Sequence, residues 1–316
     1  MALAPDTSTS ICEAMTEMPA SPPIPKIFDP ARQHAQRSRA WARHRPGDGS
    51  DFLLARAAED LADRVALVSR EFDRTLEFFG HTGLTAQRLR QLPNVGAVDR
   101  MESVGKPDFR VTPDQFNTLP LKASHYNLIV APLCLHMFDD LPGILVQLRR
   151  ALVPDGLLLA ALPAVGTLLE LRTALLRAET DIRGGAALRM NPYAELQELT
   201  GLLQRTGYAL PVGDVDEVMV RYKSPLGLMR DLRAMGQGNA LSGPRPPLTR
   251  ALLQRASDIY EKENADQDGR LRASFNMVSL SGWAPHESQQ KPLKPGSAKT
   301  SLTSVLASST PSKGSS

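Results

Sequence analysis

Apolar and polar positions first alternate between two periods near residue 75. A short apolar run from Thr75 to Phe79 ends in Gly80-His81-Thr82-Gly83. A helical pattern follows from Thr85 to Leu92, then a second apolar run from Val95 to Val98, closed by Asp99. The order strand, glycine turn, helix, strand, acid is that of a parallel βαβ unit, with Asp99 placed 22 residues after Glu77. The carboxyl edge of such a unit receives nucleosides: glycines let the backbone approach, the helix start offers N–H groups, and an acid bonds ribose hydroxyls. Tyr126 to Leu133 and Leu157 to Leu162 are continuous apolar runs, as expected of strands buried on both faces. Between them Asp140-Leu-Pro142 opens a helix in which Ile144, Leu145, Leu148 and Leu152 recur on one side. Strands alternating with helices of this length predict an α/β fold with a doubly wound, mostly parallel sheet.

The flanks follow the same reading. Residues 1–27 carry five prolines among small polar residues and are expected to be a disordered extension. Asp29 to Arg45 reads as a basic helix. Ser50 is placed to cap a second one, in which Phe52, Leu54, Ala58, Leu61, Val65 and Val68 keep helical spacing. These N-terminal helices, residues 28–70, could lie across the open edge of a ligand site. Residues 71–165 form the expected cofactor-binding core. Residues 166–287 supply an inserted helical segment and the last strands. Within it Thr167-Leu-Leu-Glu170 reads as a capping box, Asn191-Pro192 as a helix start and Gly207 as its stop. Val215 to Tyr222 and Leu271 to Trp283 read as strands, and Pro225 to Met235 and Leu248 to about Glu263 as helices. Residues 288–316 hold no acid, four lysines and mostly Ser, Thr, Pro and Gly, and are expected to be a disordered tail.

Composition narrows the field. The 316 residues are 42% hydrophobic and 22% charged, ordinary for a globular protein, and the net charge of +3 gives no reason to expect nucleic-acid binding. Arg32, Arg37, Arg39, Arg43 and Arg45 cluster without an acid among them, and the plain reading is a solvated basic helix. Two cysteines, Cys12 and Cys134, form no disulfide framework and no zinc spacing. No apolar run reaches bilayer length, and the first 26 residues lack the features of a secretory or mitochondrial leader, so the expected compartment is the cytoplasm.

At this point the chain resembles a known family. The order of elements, with acids at the ends of strands one and two, is similar to class I S-adenosylmethionine-dependent methyltransferases. Narrower matches resemble the mitochondrial complex I assembly factor 5 family and its bacterial relatives. They are Phe28-Asp29 before the Arg-rich helix, Leu135-His-Met-Phe-Asp-Asp-Leu-Pro142, Leu148-Arg-Arg-Ala-Leu-Val-Pro-Asp-Gly156 and Thr167-Leu-Leu-Glu-Leu-Arg172. Further along come Asp216-Glu-Val218 running to Tyr222, Leu232-Arg-Ala-Met-Gly236 and Gly282-Trp-Ala-Pro-His-Glu-Ser-Gln289. The resemblance spans roughly residues 28–300 and implies a Rossmann-like fold that binds S-adenosylmethionine. Glu77, Gly80 and Gly83 then match the first motif, Asp99 the ribose-binding acid, and Asp114 to Leu119, with Asp114 and Phe116, the segment flanking adenine. It also implies a link to complex I assembly, arginine hydroxylation in the human member, and a distant likeness to the malonyl-acyl carrier protein methyltransferase of biotin synthesis. The implied partner is a protein substrate or acyl carrier, a complex I subunit among the candidates.

The first motif departs from the family pattern of acid-x-Gly-x-Gly-x-Gly, because Phe79 and His81 stand at the first two glycine positions. Phe79 either packs under the sheet, leaving Gly80 to approach the ligand, or fills part of the cofactor slot. His136, after strand four, is the candidate proton acceptor or substrate-orienting group; the bland alternative is a helix-start histidine bonded to backbone. The six dispersed histidines show no zinc pattern, and methyl transfer needs none: it asks for alignment, exclusion of water and sometimes removal of a proton. Three readings stay open: an S-adenosylmethionine-dependent enzyme, a cofactor-free assembly or binding module on a degenerate methyltransferase fold, and a nicotinamide oxidoreductase, weakest because G-x-G-x-x-G is incomplete. Oligomeric state is not legible.

Overall fold

The structure, a computed structural model, describes residues 26–289 except Asp48 and Arg245. The expected disordered extension and tail, and Cys12 with them, fall outside the described residues apart from 26, 27, 288 and 289. Seven strands form one sheet: β1 Phe72–Phe78, β2 Val95–Glu102, β3 Phe109–Arg110, β4 Tyr126–Pro132, β5 Leu152–Pro163, β6 Ala209–Tyr222 and β7 Leu271–Trp283. Their spatial order is β3-β2-β1-β4-β5-β7-β6. Strands β1 to β5 run parallel, and β7 lies antiparallel between β5 and β6. The chain winds outward from β1 to β3, then crosses back to β4 beside β1. That reversal is the switch point at which open α/β sheets place their ligands.

Helices cover both faces. Helix α2, Phe52–Ala66, lays Leu53, Leu54, Ala57, Ala58, Leu61 and Val65 on one face. It is joined there by α3 Leu84–Leu89, α5 Leu169–Arg183, α7 Pro225–Ala234 and α8 Arg250–Asn264. The other face is covered by α4 Leu141–Ala151 and α6 Leu196–Arg205. Helix α1, Pro30–Arg43, starts where the Asp29 carboxylate accepts from Arg32 N at 3.0 Å and Pro30 occupies the first turn. It does not join either layer but lies at the sheet's carboxyl edge, where Gln33 Nε2 donates to the Met137 carbonyl at 2.7 Å.

Several boundaries differ from expectation, each for a readable reason. Strand β2 continues three residues past Asp99 to Glu102, because Met101 and Glu102 both turn into buried surroundings and the ladder to β1 persists through Phe78–Met101. Asp99 therefore sits within the strand and Glu102 is the acid at its end. The Thr167 capping box does not form: α5 begins after Leu168, whose φ is 53°, and Glu170 instead accepts from the Ser274 hydroxyl. Helix α6 starts at Leu196 rather than at Asn191-Pro192, because Glu195 and Glu198 supply the reciprocal cap. Helix α2 begins after Asp51 rather than at a Ser50 cap.

Candidate functional site

Strand β1 delivers Glu77 to the carboxyl edge, almost fully buried. Its Oε1 accepts from Ala86 N at 2.8 Å, which fills an open donor of the first turn of α3, and its Oε2 takes Arg100 Nε at 2.5 Å. The two remaining glycines are needed for this pair. A Cβ on Gly80 would lie 2.4 Å from the Glu77 carboxyl carbon, and one on Gly83 would lie 2.6 Å from the Arg100 guanidinium carbon. What approaches the glycine backbone is thus the chain's own Glu77 and Arg100.

Phe79 and His81 keep the backbone that glycine would have used, with φ of 55° and 51°. Left-handed conformation costs an L-residue about 1–2 kcal/mol. The Phe79 ring is buried, 4.8 Å from Phe78, 5.3 Å from Phe138 and 5.4 Å from Phe116, centroid to centroid. Phe116, read from the sequence as flanking adenine, meets this ring edge-on. Asp114 sits in a short turn and faces solvent.

Above Phe79 lies Arg37 of α1, 2% exposed. Its guanidinium stands 5.9 Å from the ring centroid, donates to the Phe79 carbonyl at 3.2 Å, and pairs with Glu102 Oε2 at 2.5 Å. Glu102 also accepts from His81 N at 2.8 Å and Ser103 N at 2.7 Å. Burial by itself would raise the Glu102 pKa, but Arg37, His81 and the Ser103 N–H together outweigh it and hold the carboxyl below its ordinary value. Burial, aided by Arg37, pushes the His81 pKa down to about 3, so the ring is neutral, and neither of its nitrogens has a partner. Asp99 is half-buried and accepts from Tyr126 OH at 3.3 Å.

S-adenosylmethionine needs open backbone at the glycines and a free acid for its ribose. Here the acid at the end of β2 is committed to Arg37, the acid at the end of β1 to Arg100, and the first glycine position holds an aromatic ring. The residues at this edge do not fit the nucleoside. Reasoning from sequence missed Arg37 and Glu102. A signal existed for the first: Gln33, Arg37 and Ala40 fall at helical spacing and are the buried residues of α1.

A second place opens on the other side of β4. His136, in the turn Leu135–Met137, points its Nε2 at Gln237 Oε1, 3.0 Å away, and its ring lies 6.0 Å from that of Tyr193. Gln237 Nε2 contacts the Leu133 carbonyl at 3.4 Å, which fixes the amide as acceptor toward His136. The imidazole then carries its proton on Nε2 and leaves Nδ1 bare. Burial lowers its pKa to about 4, against the Gln237 bond, so it is neutral at pH 7. His136 lines a small cavity that shares Leu168, Tyr193, Leu232 and Gln237 with a groove of about 250 Å³ between α5, α7 and the loops before α6 and α8. The structure therefore separates the sequence-derived candidates. Glu77, Gly80, Gly83 and Phe116 gather in the closed slot, Asp99 and Asp114 lie outside it, and His136 faces a different, open cavity.

The sheet order, the switch point and the strand-edge acids define a Rossmann-like protein of the class I methyltransferase type. A profile of the methyltransferase-domain family matches residues 42–210. The chain is 31% identical over 290 residues to the mitochondrial arginine-hydroxylase NDUFAF5 of Danio rerio, covering 88% of this chain and 89% of that protein. It is 32% identical over 292 residues to the protein of the same name from Homo sapiens, covering 89% and 84%. A malonyl-[acyl-carrier protein] O-methyltransferase from Laribacter hongkongensis is 30% identical over 293 residues, covering 85% and 94%. The chain belongs to the methyltransferase-domain family and, within it, to the group that contains NDUFAF5. Among solved structures, the YcgJ protein from Bacillus subtilis shares the fold, with a TM-score of 0.50 at 12% identity over 73% of this chain and 99% of that one.

Proposed function

We propose that this chain is a cofactor-free member of its family, a methyltransferase-fold module that binds a protein or carrier-bound client and serves respiratory complex I assembly. One observation carries the reading: the Phe79 ring and the Arg37–Glu102 pair fill the edge where the nucleoside would lie. A bound nucleoside would have to displace a buried aromatic and separate a buried ion pair, and each costs several kcal/mol. The complex I role and the client class rest on likeness to NDUFAF5 and to the acyl-carrier methyltransferase. In this reading the client is a protein or a carrier-borne group, and the working surface is the groove that leads to His136. The proposed compartment is the cytoplasm; among the described residues no helix is long and apolar enough to cross a membrane.

A second reading, an S-adenosylmethionine-dependent enzyme, draws support from His136, a neutral imidazole whose buried Nδ1 carries no hydrogen bond among the described residues. One calorimetric titration of the purified protein separates the two. S-adenosylmethionine and S-adenosylhomocysteine are expected to give no binding heat at 25 °C or 10 °C. Micromolar binding of either would overturn the cofactor-free reading and restore the enzymatic one.

A further inference from the structure

The groove beside Tyr193 is chemically one-sided, and this deepens the reading of that face as the client site. Its floor is apolar, built from Leu171 and Leu175 of α5 with Met229 and Leu232 of α7. Its mouth is apolar as well. Leu248 lines it at 40% exposure, and Leu188, 81% exposed, stands beside Asn239, whose Nδ2 donates to the Leu188 carbonyl at 3.1 Å. Exposed apolar residues gathered at one cavity mark a binding surface rather than ordinary scatter.

The charges are all of one sign. No Asp or Glu lines either the groove or the cavity that continues to His136, whereas Arg189 and Arg233 do line the groove. Glu179 of α5 is buried and already paired with Arg189 and Arg183. Arg233, on the exposed side of α7, pairs with no acid among the described residues. The charge that acts on the Tyr193 hydroxyl is again a cation, Arg172. Deeper in, Asn191 is buried at 9% exposure with its Oδ1 unpartnered, and an amide can turn either end toward a ligand.

We propose that this groove binds the apolar chain of an anionic amphiphile, a carboxylate-terminated acyl chain, with its head at Arg233, and discriminates against cationic groups. A guanidinium entering the groove would lose hydration, meet two cations and find no carboxylate, so it is rejected on charge. A carboxylate head gains charge-assisted hydrogen bonds while its chain replaces water over leucine and methionine. The arginine side chain implied by the name of the NDUFAF5 relatives is therefore not what this groove is built to hold.

The test uses the whole protein and three probes at concentrations below self-association: dodecanoate, dodecanol and dodecylguanidinium, titrated by calorimetry at pH 7.5. Dodecanoate is expected to bind at least tenfold tighter than dodecylguanidinium, with dodecanol between them. Arg233→Glu should erase or reverse that order, Arg233→Lys should keep it, and Arg45→Glu, a charge reversal on the exposed stretch after α1, should leave it unchanged. Tighter guanidinium binding, no dodecanoate binding, an order insensitive to Arg233→Glu, or equal sensitivity to Arg45→Glu would each overturn the proposal. The S-adenosylmethionine titration reports on the β1–β2 edge instead. Silent cofactor with silent dodecanoate removes this inference alone, whereas cofactor binding removes the cofactor-free reading and leaves the groove result standing.

Discussion

Replacing Phe79 by alanine and by glycine separates two things that the residue does at once. Its ring is buried in a cluster with Phe78, Phe116 and Phe138, and truncating a buried Phe costs about 3–5 kcal/mol. Its backbone sits at φ 55°, which alanine cannot adopt without strain of about 1–2 kcal/mol and glycine adopts freely. Glycine gives back roughly 0.5–1 kcal/mol through the larger freedom of its unfolded chain. Phe79→Ala should therefore cost about 3–5 kcal/mol, and Phe79→Gly should be less damaging by about 0.5–1 kcal/mol. That order is the reverse of the one found in a helix interior. Urea denaturation followed by circular dichroism reads both, with the slope checked for constancy so that the midpoints report stability. A glycine variant no more stable than the alanine variant would refute the left-handed backbone. Losses under about 1 kcal/mol in both would refute the packed ring, and with it the closed slot.

The Arg37–Glu102 pair gives the next outcome: Arg37→Met or Glu102→Gln alone should cost about 3–5 kcal/mol, while the double variant falls well short of their sum, read as a coupling in a double-mutant cycle. Stability should fall as pH drops below about 6.5, because His81 and His136 titrate near 3 and 4 in the fold but near 6.5 when unfolded, so the unfolded chain binds more protons in that window. The slope reaches up to about 1.4 kcal/mol per pH unit for each ring, and Glu102, whose folded pKa is depressed, adds to it below about pH 4.3; urea midpoints at pH 7.5, 6 and 5 measure this, and a flat profile would contradict the buried neutral rings. Asp99→Ala should cost under about 1 kcal/mol, since its recorded hydrogen bond is a half-exposed one to Tyr126 OH; thermal melts check this, and a loss above about 2 kcal/mol would give Asp99 a role that its contacts do not explain.

The doubly wound sheet was readable because its evidence is local: continuous apolar runs at Tyr126–Leu133 and Leu157–Leu162, with a helix pattern between, admit few other arrangements. The site was readable only in part. Gly80 and Gly83 read as places where a ligand approaches the backbone; in the structure Glu77 and Arg100 lie against them, and a sequence does not say whether the visitor is a ligand or another side chain. Asp99 reads as the acid at the strand end because it closes the apolar run Val95–Val98. The pairings of Glu77 with Arg100 and Phe78 with Met101 show the strand continuing. The partner that makes a buried Glu102 tolerable, Arg37, lies 65 positions earlier in a helix whose composition reads as solvated. Most of those arginines are indeed outward-facing. Arg37 differs because α1 crosses the sheet edge, a tertiary fact with no local trace beyond the Gln33–Arg37–Ala40 spacing.

The closed slot is a set of mutually dependent replacements rather than one lost glycine. A strand-edge acid left without its ligand would be a buried, unpaired carboxylate, among the more costly defects a core can carry. Each such acid here has acquired a cation from its own chain, Glu77 from Arg100 and Glu102 from Arg37, and the space between them holds the Phe79 ring. The left-handed backbone at residues 79 and 81 carries a conformational cost. That cost is offset by aromatic packing with Phe78, Phe116 and Phe138 and by two buried ion pairs. Such a site is stable in its closed form, so the edge now serves as core. The cavity that opens at His136 on the far side of β4 shares none of these residues. Structure and chemistry thus divide at β4: the edge at β1 and β2 is filled, and the groove that remains open is apolar, cationic at its rim and neutral at its end.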